Sequence, residues 1–181
     1  MKPFIGVKRI WYGEPLTKAL TKVADITALL TPAEGVSSFK EVKNSHEGTW
    51  GYSHDDPSVT DYINELTGQT YYRDKTSAGA KTITFTMGVY DFETKAALQG
   101  GKVIKESEKV VGWESDANLE NINKCIIAQT KTGNYIVFSN ASIVGKGDQQ
   151  DKNIGLGITA VAQENLTDGV AAEYLFEAAE A

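Results

Sequence analysis

The stretch KCIIAQTKTGNYIVFSN, residues 124–140, constrains the fold more than any other part of the sequence. Two runs rich in β-branched and aromatic residues flank residues 131–134, where a Gly-Asn pair favours a turn, so the pattern predicts a β-hairpin. Successive side chains of a strand point to opposite faces, and both faces of this hairpin are apolar, with Ile127 and Phe138 expected in the core. Both faces must therefore be covered, one by a second sheet and the other by a helix or a neighbouring subunit.

A second element is predicted from KTITFTM, residues 81–87, where apolar and threonine side chains alternate as in a half-buried strand. Asp91 follows as the N-cap of a helix of about two turns, which Gly100 and Gly101 end and on which Phe92 and Ala96 share a face. A phosphate-binding loop needs its glycines before the helix, and a nucleophile elbow needs Ser or Cys between glycines. This junction has neither feature, so it is interpreted as scaffold.

The remaining pattern predicts one mainly β domain over residues 1–181, an antiparallel β-sandwich or incomplete barrel with a short flanking α-helix. An extended loop and hairpin region covers about residues 44–80 and contains two strands, at 58–64 and 70–75. A helix is expected within 16–30, an exposed polar excursion at 105–123, and either a helix or a loosely docked arm at 165–181. Further strands are expected at residues 4–12, 36–44 and 153–162.

Composition narrows the functional classes. The net charge of -6 argues against non-specific nucleic-acid binding, which depends on lysine and arginine neutralising phosphates. No apolar run approaches the ~20 residues of a membrane span, and the polar, interrupted start MKPFIGVKRIWYG does not resemble a signal peptide. Cys125 is the single cysteine, so no internal disulfide is expected. These features favour a protein that folds in a reducing cytoplasm.

Candidates for chemistry are few. His46 and His54 could form a weak metal cluster with Asp55 and Asp56, but their spacing matches no helix-borne or finger-type ligand pattern. Cys125 could act as a nucleophile with His46 as base, yet its place within an apolar strand favours a buried, inert thiol. The residues therefore predict no enzyme, no cofactor and no metal.

The region 44–80 is rich in aromatic residues. Such side chains can stack on bases or sugars, but few cationic residues lie among them, so a core or protein interface is favoured over nucleic acid. We predict that they contribute to a subunit interface: Trp50, Tyr52, Tyr62, Tyr71 and Tyr72.

Three stretches carry a family resemblance: SVTDYINELTGQTYYRDK, ITFTMGVYDFETKAALQGG and NKCIIAQTKTGNYIVFSNASIVGKG. They resemble the corresponding parts of phage major tail tube proteins, in particular those of Bacteroides-type phages and prophages. The similarity runs from PFIGVKRIWYG to about GITAVA and includes no catalytic motif. The resemblance implies the sandwich fold shared with type VI secretion tube proteins, with the helix at 91–98 on its flank.

The resemblance also implies a function. Six copies would form a ring, and stacked rings would form a tube through which DNA passes as non-specific cargo. The long loop would contact the next ring, and Asp55 and Asp56 would lie near a ring-to-ring seam or the lumen. Implied partners are other copies and tail proteins such as the tape measure and terminator, with neither a membrane nor a small-molecule substrate. The protein would be assembled in the bacterial host cytoplasm and reside in the virion tail.

Two alternative functions remain open from the sequence. The first is another tail component, such as a terminator or a baseplate hub subunit. The second is a small-ligand or carbohydrate-binding β-sandwich that uses Trp50, Tyr52 and the other tyrosines of residues 44–80.

Overall fold

The computed structural model describes residues 2–32, 35, 37–117 and 120–178. The fold is mainly β, with 47% of residues in strands and 9% in helices. The helices are α1 (Val23–Leu30) and α2 (Phe92–Gln99). The strands are β1 (Arg9–Gly13), β2 (Lys40–Glu41), β3 (Gly51–His54), β4 (Val59–Asn64), β5 (Gln69–Lys75), β6 (Lys81–Met87), β7 (Lys102–Glu106), β8 (Lys109–Glu114), β9 (Ile122–Gln129), β10 (Tyr135–Gln150), β11 (Asn153–Ala162) and β12 (Glu173–Phe176).

One antiparallel sheet forms the body of the molecule. Its strands follow the order β2-β1-β9-β10-β11-β6-β3, and β12 joins beside β10. The sheet does not close into a barrel. The segment between β2 and β3 bridges towards β1 and β6, because Val42 N donates to Ile10 O and His46 N donates to Thr86 O. The predicted fold class, a sandwich or incomplete barrel with a short helix, is confirmed.

The β9–β10 hairpin separates two apolar clusters. The inner cluster contains Ile126 and Phe138 together with side chains from β1, β6 and β11, and it also includes Leu98 of α2. The outer cluster contains Ile127 and Val137, which pack with residues of α1 and of the segment before it. Ile127 and Phe138 are both fully buried, as predicted.

Both faces of the hairpin are therefore covered within one chain. The inner face meets the rest of the curled sheet and α2, and the outer face meets α1, Leu16, Leu20 and Phe39. A neighbouring subunit is not needed to bury this hairpin, so its apolar faces give no reason for self-association. Any surface that recognises another copy has to lie elsewhere on the molecule.

Helix α2 begins as the sequence predicts. Asp91 Oδ1 accepts a hydrogen bond from Thr94 N at 2.6 Å, and the helix ends at Gly100, whose φ is 84°. The buried face differs from the expectation, because Thr94 and Leu98 point inward while Phe92 is 41% exposed. Leu98 lies four residues after Thr94, so these two side chains share the face that packs on the sheet.

Three local predictions are wrong or only partly correct. The helix expected within residues 16–30 covers only Val23–Leu30, while Leu16 and Leu20 are buried from a non-helical segment. The strand expected at 4–12 is Arg9–Gly13, and of the strand expected at 36–44 only Lys40–Glu41 is formed; Val36 lies outside the described residues.

Two further segments form strands that the sequence did not indicate. The excursion at 105–123 contains β8, which pairs with β7, although residues 118 and 119 lie outside the described residues. The helix considered for the C-terminal segment is a strand, β12, which pairs with Tyr135–Phe138 of β10. Tyr174 and Phe176 pack on the outer cluster, while Leu175 between them is 53% exposed, an alternation that only a strand produces.

Candidate functional site

Strands β3 and β6, at one end of the body sheet, continue into a projecting hairpin. Beyond the pairing of β3 with β6, Asp55 N donates to Ala80 O at 2.8 Å and Thr76 N donates to Ser58 O at 2.9 Å. Strands β4 and β5 then pair as a separate two-stranded sheet. We call residues 59–75 the arm and residues 55–58 with 76–80 the neck. Residues 51–87 are thus one long hairpin, of which only the base belongs to the body.

One face of the arm is made of tyrosines. Tyr62 pairs with Tyr72 across the strands, and the register shift next to this pair leaves Tyr71 as an extra residue. The Tyr62 ring lies 5.7 Å from the Tyr72 ring and 6.5 Å from the Tyr71 ring, measured between centroids. The three side chains remain 44%, 57% and 70% exposed for Tyr62, Tyr72 and Tyr71. They therefore form an aromatic cluster that water still reaches.

The opposite face and the tip of the arm are largely polar, but each exposes a large apolar side chain. Ile63 is 59% exposed, and Leu66 at the turn is 94% exposed. Asp61 and Arg73 form a two-point ion pair across the strands, with N–O distances of 2.6 and 2.9 Å. This pair is exposed to solvent, which screens its charges, so it adds little to the stability of the arm.

Two physical properties make the arm a candidate for contact with another surface. A two-stranded hairpin is at best marginally stable alone in water, because it has no sheet neighbour or helix to cover it. Contiguous exposed apolar side chains mark interaction sites in folded proteins. The arm combines both properties, so it is the candidate functional site.

The five predicted interface aromatics fall into two groups. Tyr62, Tyr71 and Tyr72 lie on the arm, whereas Trp50 and Tyr52 belong to the body. Trp50 is half-buried against the inner cluster. The Tyr52 ring lies 6.3 Å from the Phe138 ring, between centroids. The interface role of these five residues stays a prediction; the structure divides them between the arm and the body, where Tyr52 is still 40% exposed.

A carboxylate holds the base of the arm. Glu173 on β12 accepts a hydrogen bond from Tyr52 Oη at 2.6 Å and forms an ion pair with Lys81 Nζ. Its side chain is only 10% exposed. Tyr52 lies in β3 and Lys81 begins β6, so one acidic group joins both strands that lead into the arm to the C-terminal strand. Burial and the neighbouring Glu173 carboxylate raise the pKa of Tyr52 to about 12.

This arrangement predicts a pH dependence. The folded protein raises the Tyr52 pKa above its ordinary value near 10, so it favours the protonated phenol. The contribution of this phenol to the free energy of unfolding is therefore fully present below pH 10 and is lost as the pH rises towards 12. Glu173→Gln removes the negative charge but not the burial, so the Tyr52 pKa should fall part of the way back. NMR titration of labelled tyrosine rings measures this, with Tyr52→Phe assigning the signal. An unchanged titration in Glu173→Gln would show that the carboxylate does not act on Tyr52.

Asp55 and Asp56 lie in the neck and are exposed. The two neck segments approach so closely that a Cβ on Gly79 would lie 2.0 Å from Asp55 O, and Gly79 also has φ +77°. Only glycine fits there. The two aspartates are thus held at the base of the arm rather than at its tip.

The residues considered for chemistry are not brought together. His46 Nε2 lies 3.4 Å from Asp151 Oδ2, whereas His54 Nε2 lies 2.9 Å from Ala78 O in the neck. Cys125 is fully buried in the outer cluster, and burial raises the pKa of its thiol. Within the described ranges, no group of three or more His, Cys, Asp or Glu side chains could hold a metal ion.

Sequence reasoning missed Ile63, Leu66 and Glu173. In the sequence, Ile63 and Leu66 are an ordinary strand residue and a turn residue. They became candidates only because the structure leaves their side chains exposed to solvent. Glu173 gave no local signal, because its two partners lie 121 and 92 residues away in the chain.

Comparison with known proteins does not assign the chain to a family. No protein-family model matches it, and no curated protein matches it. Neither of the helices described is long and apolar enough to cross a membrane.

Proposed function

We propose that this chain is a structural subunit of a phage tail tube, in which six copies form a ring and rings stack around a channel for DNA. The observation that carries the proposal is the arm, whose tyrosine face, opposite face and tip all expose apolar side chains. The mainly antiparallel β body with a short flanking helix fits the fold that the resemblance to tail tube proteins implies.

The proposed assembly uses the arm in one direction. The arm leaves the body at one end of β3, and in the proposal it contacts a different surface of the next copy without a reciprocal contact, which makes the interface heterologous. Heterologous contacts generate rings or filaments, whereas closed dimers use the same surface on both partners. The ends of the body sheet, β2 and β3, provide further edges that neighbouring copies would cover.

The charge of the chain fits a conduit for DNA. Acidic groups on the lumen would gain no counterion release from contact with DNA, so passing DNA would not be retained, and the net charge of -6 is compatible with such a lining. In this proposal Asp55 and Asp56, at the base of the arm, lie near a ring-to-ring seam or the lumen. Tape-measure and terminator proteins would meet the tube in the virion tail, after assembly in the bacterial cytoplasm.

A ligand-binding sandwich receives less support from the site. A single stacking platform would need Trp50 and Tyr52 beside the other tyrosines, but Tyr52 lies in the body sheet, with Trp50 just before its strand, and the other three lie in the separate sheet of the arm. A terminator or baseplate hub subunit would be compatible with the same arm, but it would not form long tubes.

Negative-stain electron microscopy of the concentrated protein tests the proposal. We expect six-fold rings or tubes, and sedimentation should show growth with concentration because each subunit contact is weak alone. A closed dimer that persists across a concentration series without forming rings would contradict the proposal. Rings that never stack would favour the terminator or hub alternative instead.

A further inference from the structure

A groove of about 510 Å³ lies between β1 and residues 42–50, the segment that leads from β2 to β3. Apolar side chains line part of this groove, namely Val7, Ile10, Val42 and Trp50. Val7, Val42 and Trp50 are only half-buried, so the groove exposes apolar surface that a binding partner could contact.

The rim of the groove is basic in a protein that is acidic as a whole. Lys8, Lys43 and Lys131 line it, are exposed, and make no ion pair with any carboxylate in the described ranges. Arg9 is already paired with Glu41 at 2.6 Å. Glu47 is the one acidic residue among the lining residues. The three lysines therefore give the groove an excess of positive charge.

The arm and neck carry the opposite charge. Residues 55–75 contain five carboxylates and two cationic side chains, a net charge of -3. Within the arm itself, Asp61 and Arg73 neutralise each other, which leaves Glu65 beside the exposed Leu66 at the tip, Asp74 opposite Thr60, and the cation Lys75 opposite Val59. The arm alone therefore has a net charge of -1, and Asp55 and Asp56 of the neck add the other two negative charges. By the two-residue period of a strand, Asp74 shares its face with Tyr72. The arm and neck thus combine exposed apolar side chains with an excess of carboxylates, while the groove combines apolar side chains with a basic rim.

We propose that this groove receives the arm of a second copy of the chain. Trp50 of the groove immediately precedes β3, and Asp55 of the neck immediately follows it, so the two surfaces lie at opposite ends of one strand. The neck continues the β3–β6 ladder beyond His54, which directs the arm away from its own groove. The arm therefore cannot fill the groove of its own chain, and in the proposed assembly it joins one copy to the next, head to tail. The inference rests on the proposed self-assembly and names the surface that accepts the arm.

Two variants of the full chain separate the halves of this contact. In the arm-less variant, a short Gly/Ser linker replaces residues 59–75 and the groove is intact. In the groove-reversed variant, Lys8→Glu, Lys43→Glu and Lys131→Glu are combined and the arm is intact. These lysines are exposed, so the fold should tolerate the change, which circular dichroism checks.

We expect each variant alone to stay monomeric and the mixture to form a one-to-one complex in sedimentation velocity. Raising the salt from about 0.1 M to about 1 M should weaken the complex, because screening shortens the reach of the charges. Reversing the same three lysines in the arm-less variant should abolish the complex. The matched control is the arm-less variant with Lys18→Glu, Lys105→Glu and Lys109→Glu. These three lysines are also exposed, and their change should leave the complex intact.

Absence of a complex in the mixture, or its persistence after the groove lysines of the arm-less variant are reversed, would overturn this inference. Loss of the complex in the matched control would do the same, since net charge would then explain the effect. The proposed function is judged separately, by rings or tubes of the unmodified protein. A complex between the two variants supports the groove whatever the larger assembly proves to be.

Discussion

Replacing residues 59–75 with a short Gly/Ser linker should abolish ring and tube formation and leave the body folded. The inner and outer clusters contain no residue of the arm, so its removal takes nothing from the core. The variant loses the exposed tyrosine face, Ile63 and Leu66, which supply the apolar contact in the proposed assembly. Electron microscopy measures assembly, and thermal unfolding followed by circular dichroism measures the state of the body.

The choice of cut matters for this experiment. Replacing residues 47–56 instead would remove β3, which pairs with β6 in the body sheet. A failure to assemble could then result from an unfolded body rather than from a lost contact. A milder pair of variants provides the control. Ile63→Ser with Tyr71→Ser changes the arm, and Ile104→Ser with Val111→Ser changes the comparably exposed β7–β8 hairpin. We expect the first pair to impair assembly more than the second; normal tubes from the arm-less protein would contradict the proposal.

The largest effect on stability is expected for Phe138→Ala, which should lower the free energy of unfolding by about 3–5 kcal/mol. The Phe138 side chain is fully buried in the inner cluster, at the centre of the β9–β10 hairpin, where it pairs with Ile126. Truncation removes a ring that the surrounding strands cannot fully replace, so a cavity remains. Denaturant unfolding of the monomer measures the change.

Phe92→Ala is the matched control for this prediction. Phe92 is 41% exposed on α2, so the same truncation should cost about 1 kcal/mol or less. If Phe138→Ala fails to fold, Phe138→Leu should still unfold at lower denaturant concentration than the unmodified protein. Equal stability of Phe138→Ala and Phe92→Ala would show that the ring at position 138 does not support the core.

The sequence identified those elements whose signals are local. The β9–β10 hairpin, β6 and the Asp91 cap of α2 were predicted correctly, because alternation, turn residues and a capping side chain act within a few residues. The strands of the arm were also predicted, from the β-rich runs on both sides of a Gly-containing turn. The mainly β fold class follows from these elements together.

Segments with ambiguous local patterns were decided by packing. Leu16 and Leu20 have helical spacing, yet Leu16 N donates to Ser139 O and both side chains enter the outer cluster from a non-helical segment. The C-terminal segment has a helix-favouring composition, yet it forms β12 because the edge of β10 between Tyr135 and Phe138 is available to pair with it. In both cases a hydrogen-bonding partner far away in the chain outweighs a weak propensity.

The candidate site shows the same division. The aromatic content of residues 44–80 predicted an interface region from sequence alone, and the resemblance to tail tube proteins implied a seam or lumen position for Asp55 and Asp56; both stay predictions. Only the tertiary structure showed that Tyr52 is held in the body by Glu173, while Tyr71 and Leu66 remain uncovered. Which side chains are exposed depends on long-range strand pairing, since one register buries a face that another would leave to solvent. Local patterns therefore determined the elements, and the pairing of β3, β6 and β12 decided which of their residues are free to meet a partner.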